Sequence, residues 1–74
     1  MNIPQYAKAT EAAVTALRMQ AEQLLTAAAT VLAEAGTYTD EAERNFQQAR
    51  ALDIQWAAAH LLGEAQKIET AAAA

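Results

Sequence analysis

The 74-residue chain contains no cysteine and no serine, a single proline and two glycines. Without cysteine there is no disulfide and no thiolate metal ligand, and with serine also missing neither common side-chain nucleophile is available. Two isolated glycines cannot build a phosphate-cradling loop or a dinucleotide fingerprint. Cations are few as well: five Lys and Arg against nine Asp and Glu give a net charge of −4 and a pI near 4.7. Lys8, Arg18, Arg44, Arg50 and Lys67 are dispersed along the chain, so phosphate backbones are repelled on average and nucleic-acid binding is not expected. Long apolar runs are missing too. The longest uncharged stretch, Gln23 to Ala33, falls far short of the ~20 residues that cross a bilayer. No basic head followed by an apolar run marks the N-terminus, and the expectation is a soluble, cytoplasmic protein without membrane contact.

What the chain has is alanine. Of 40 hydrophobic residues 22 are alanine, which leaves 18 with large side chains. At this length a single core seldom gives a comfortable margin of stability. One all-helical domain over residues 1–74 is therefore expected to be completed by association, as a homo-oligomer or with a larger protein partner.

The organising stretch is Ala35-Gly36-Thr37-Tyr38-Thr39-Asp40-Glu41-Ala42, the clearest stop-and-restart signal in a helical pattern. Gly36 can close a helix in the left-handed conformation, and Thr39 or Asp40 can cap the orphan amides of the next. The spacing predicts a helix over about 5–35, entered at Pro4, a turn over 36–39, a second helix over about 40–70 and a fraying tail over 71–74. In the first helix Tyr6, Thr10, Ala13, Leu17, Ala21, Leu24, Ala28, Val31 and Ala35 recur at three- and four-residue spacing and define a packing face. Val14, Leu25 and Leu32 widen it. The alternation of large residues with alanine permits close approach of a second helix. Arg18 with Glu22, and Asp40 with Arg44, stand one turn apart and form candidate intrahelical pairs.

The second half carries two stripes. Ala42, Phe46, Ala49, Leu52 and Trp56 lie on one side; Ile54, Ala58, Leu61, Ala65, Ile68 and Ala72 lie on another, rotated by roughly 120–130°. Either the helix breaks near Asp53 and yields three helices, or one continuous helix is covered on two faces. The absence of glycine or proline at 53–55 favours continuity. Gly63 marks a close helix crossing or a neutral surface site.

Residues 25–53 resemble one degenerate tetratricopeptide repeat unit, a helix-turn-helix. The turn 36–42 and the spacing of Ala42, Phe46, Ala49, Leu52 and Asp53 carry the likeness. The turn has one extra residue, Ile54 stands where the family has proline, and the first helix lacks the usual tryptophan and glycine. The resemblance implies a protein-binding scaffold in which the alanine-phenylalanine-alanine spacing packs the two helices together. A single unit of this kind needs an extra helix or a second chain.

Candidate chemistry is thin. His60 and Glu64 are one turn apart and supply at most two metal ligands, and two do not make a site. Glu41 and Glu64 are a candidate carboxylate pair if the chain brings them together. The expectation is a non-enzymatic antiparallel hairpin with no cofactor, metal or small-molecule substrate. It associates through Leu17, Leu24, Val31, Phe46, Trp56, Leu61 and Ile68, with Gly36, Tyr38 and Asp40 forming the turn. The alternatives are a structural subunit of a larger assembly such as a phage particle, and a hairpin-dimer nucleic-acid regulator using Arg44 and Arg50 from two copies.

Overall fold

The computed structural model describes residues 3–73, with side chains described from Gln5 onward. Two helices, α1 (Ile3–Ala35) and α2 (Glu41–Ala73), lie side by side as an antiparallel hairpin, and there is no strand among the described residues. Each helix has 33 residues, a rod of about 50 Å, and the whole measures 59 × 16 × 12 Å. No helix is long and apolar enough to cross a membrane among those residues.

α2 runs without a break past Asp53 and remains helical to Ala73. Residues 71–73 of the expected fraying tail are thus helical, and Ala74 lies outside the described residues. α1 already includes Ile3 and Pro4.

The turn closes differently from the expected left-handed glycine, because no residue among those described has positive φ, Gly36 included. α1 instead tightens at its end. The Thr37 amide donates to the Glu34 carbonyl at 2.9 Å and the Tyr38 amide to the Ala35 carbonyl at 3.2 Å. The Thr37 hydroxyl adds a second bond to the Glu34 carbonyl at 2.6 Å. These short-range bonds satisfy carbonyls that the helix end leaves open, so the left-handed cap is not needed. Asp40 opens α2. Its Oδ1 accepts from the Ala42 amide at 3.0 Å, while its carbonyl accepts the first helical bond, from the Arg44 amide at 3.0 Å. Asp40 caps instead of pairing with Arg44, whose guanidinium donates to the Tyr38 carbonyl at 3.5 Å.

The seam follows a seven-residue repeat. Val14, Ala21, Ala28 and Ala35 in α1, and Ala51, Ala58 and Ala65 in α2, are the buried hydrophobic residues. Three residues after each of these, or four before, stand the half-buried positions: Thr10, Leu17, Leu24 and Val31 in α1, and Gln47, Ile54, Leu61 and Ile68 in α2. Written as a heptad, the alanines occupy a and the larger residues d. Val14, not Ala13, fills its level of the seam: the strict four-three alternation from Thr10 puts residue 14 inward and leaves Ala13 and Tyr6 exposed.

Candidate association face

Of the two stripes of α2, the late one faces α1. It extends back through Ala51 to Gln47 and Arg44, so the whole of α2 uses one continuous seam. The early stripe is turned outward, with Phe46 64% and Trp56 70% exposed and Leu52 half-exposed. Phe46 and Trp56 therefore take no part in the hairpin's own core, while Leu17, Leu24, Val31, Leu61 and Ile68 line the seam at partial burial. Ala42 and Ala49 also lie outside the seam. The physical reason is competition between two apolar stripes for one neighbour. The stripe made of alanine allows the closer helix approach and hence the larger number of dispersion contacts.

The orientation of the flanks follows from one contact. Arg18 pairs with Glu69 across the hairpin, which displaces the expected Arg18–Glu22 pair. Arg18 stands four residues after Val14 and Glu69 four after Ala65, so both occupy heptad position e, and their contact places the e positions of both helices on one flank. That flank therefore carries Leu25 and Leu32 from α1 and Gln48, Gln55 and Leu62 from α2. None of these is charged, and the three leucines are 42–43% exposed.

Going outward around α2 from this flank, the next row holds Asn45, Leu52, Ala59 and Gln66, and the row after it Ala42, Ala49, Trp56, Gly63 and Thr70. These rows are also free of charge. The result is a swath roughly 100° wide along α2, uncharged between Glu41 and Glu69 and continuous with the α1 leucines. Within it Leu52, Gln55, Trp56 and Ala59 line a shallow depression. A Cβ built on Gly63 meets nothing within 4 Å, so no close helix crossing exists there inside one chain.

Charge borders this stretch: Glu11 and Glu41 share position e with Arg18 and Glu69, and Lys8 and Glu22 stand in the adjoining row of α1. Glu34, Glu43, Arg50 and Glu64 occupy the opposite flank, and Asp53, His60 and Lys67 the row beside it. Glu64 pairs with Lys67 at 3.3 Å, Gln47 donates to Glu43 at 3.1 Å and Arg50 to Gln47 at 3.4 Å, all local contacts along α2. Arg44 sits half-buried at the seam, so the two arginines of the suggested basic face are turned to different sides of the helix. Glu41 and Glu64 do not meet. They stand on one unbroken helix, about 34 Å apart at 1.5 Å per residue. Among the described residues no three His, Cys, Asp or Glu side chains converge in a metal-binding group. At the open end Tyr6, Thr10, Val14, Arg18 and Glu69 border an open groove.

Periodicity alone could have located the seam, because Ala51, Ala58 and Ala65 share the seven-residue interval of Ala21, Ala28 and Ala35. The side-by-side placement of Leu25, Leu32 and Leu62 was not visible until the Arg18–Glu69 contact showed the relative rotation of the helices. Comparison of the chain with protein-family models, with curated proteins and with solved structures finds no match.

Proposed function

We propose that the chain is a non-enzymatic helical association module whose binding surface is the uncharged middle of the flank, Leu25, Leu32 and Leu62, with the adjoining Leu52 and Trp56. The observation that carries this reading is the segregation of the surface. Among the described residues every fully buried side chain is alanine, while five of the nine exposed large apolar side chains share one stretch that carries no charge of its own. A contiguous group of exposed apolar side chains rimmed by charge is a common form of protein-binding surface. Trp56 and the leucines supply the anchors. The likeness to a tetratricopeptide unit implies use of the same general kind, a scaffold for another polypeptide.

The test is a photoreactive amino acid placed at position 62, on the apolar flank, or at position 20, on the opposite one, in cells that make the protein. Irradiation is expected to give covalent protein adducts from position 62 and none above background from position 20. Equal yields from both positions, or none from either, would refute the assignment.

A further inference from the structure

We infer that the occupant of this face is a second copy of the chain, packed about a two-fold axis so that two hairpins form a four-helix bundle. The inference rests on the association reading above and names its partner.

Surface area is the first argument. A folded monomer of 7.9 kDa is expected to expose about 4,400 Å². The hairpin exposes 5500 Å², an excess of about 1,100 Å² over that scaling. A stable protein–protein interface removes about 800 Å² from each partner. Covering one flank with a like hairpin therefore brings the exposed area per chain close to that of an ordinary globular protein.

Charge is the second. A chain of net charge −4 repels its own copy unless the contact is made where charge is missing. Two stretches of the surface meet that condition, the outward face of α1 around Ala16, Met19, Gln23 and Thr26 and the swath from Leu25 and Leu32 across Leu62 to Trp56, and only the second carries several large apolar side chains. A strongly charged partner would find its counter-charges outside this swath, at Glu34, Glu43, Arg50 and Glu64 on the other flank and at Glu11, Glu22 and Glu41 around its border. In an isologous contact every residue of the patch meets the same patch, so a patch without charge is self-compatible. Trp56 lies one residue from the middle of α2 (Glu41–Ala73). Full overlap of two copies thus brings the two indoles to the same level, whichever way the copies run.

The purified full chain is expected to sediment, at tens of micromolar, at twice its 7.9 kDa mass. Leu62→Lys and Leu62→Glu should each sediment as single chains with helicity retained, and an equal mixture of the two should recover the doubled mass. Gln20→Lys, on the opposite flank, should remain double. Gln55→Lys, at an exposed position of the same flank, replaces Leu62→Lys if that variant loses its helical signal. A wild-type chain of single mass, together with photo-adducts of a different protein from position 62, overturns the second copy and leaves the association reading standing. Single mass without any adduct overturns both. A doubled mass that survives both Leu62→Lys and Gln55→Lys places the contact elsewhere and overturns the inference.

Discussion

Arg18 and Glu69 are 51 residues apart in sequence and in contact across the open end of the hairpin. The pair shows which flanks of α1 and α2 share a side, yet it is a small source of stability. The two side chains are 55% and 46% exposed, and exposed ion pairs contribute about 0–1 kcal/mol. A double-mutant cycle of Arg18→Ala and Glu69→Ala by urea unfolding should give a coupling below ~1 kcal/mol that shrinks in high salt. A larger, salt-insensitive coupling would contradict the exposed geometry.

The alanine seam should be intolerant of size. Ala58 is fully buried and its neighbour Ala57 is exposed. Ala58→Leu forces the helices apart and should lower stability by about 1–3 kcal/mol, the usual cost of overpacking. Ala57→Leu should stay within ~0.5 kcal/mol of the parent, as surface changes do. Denaturant midpoints at matched chain concentration decide this, and equal midpoints for the two variants would mean that the seam lies elsewhere.

Gly36 does not need to be glycine. Its φ is not positive, and a Cβ would sit 3.5 Å from the Ala33 carbonyl oxygen, an ordinary contact. Gly36→Ala should raise stability by about 0.4–1 kcal/mol by restricting the unfolded chain. A loss of that size, read from thermal unfolding, would restore the left-handed cap.

Asp40 is the N-cap and Thr39 is not. Asp40→Ala removes the 3.0 Å bond to the Ala42 amide and should cost about 0.5–2 kcal/mol. Thr39→Ala should change the unfolding midpoint far less. The reverse order of effects would move the cap by one residue.

Leu61→Ala and Phe46→Ala separate seam from surface. Leu61 lines the seam and Phe46 is 64% exposed. Leu61→Ala should lower helicity and melting temperature, with a loss toward the low end of the ~2–5 kcal/mol range for buried leucine. Phe46→Ala should leave both near the parent values. Circular dichroism on the two variants is sufficient, and a matching loss for Phe46→Ala would mean that the early stripe is packed after all.

Much of the fold was legible in the chain. Thr37 to Asp40 are turn and capping residues between two periodic runs, and no glycine or proline interrupts residues 41–62, so two helices and one reversal follow from local rules. The choice between the stripes of α2 was not legible. Phe46, Leu52 and Trp56 carry more apolar area than Ala51, Ala58 and Ala65, and a reading by hydrophobicity gives both faces a claim. The hairpin settled on the smaller residues because its two rods gain most where backbones can come close.

The sequence by itself determined the helices and their break and narrowed the cap to Thr39 or Asp40, since these depend on contacts within a few residues of each other. Only the tertiary structure decided which side of α2 meets α1, that Arg18 reaches Glu69 and not Glu22, and that five large apolar side chains share one side. Those facts depend on the rotation of one helix about its axis relative to the other. That angle is set by packing between residues up to 51 positions apart, which no local pattern records.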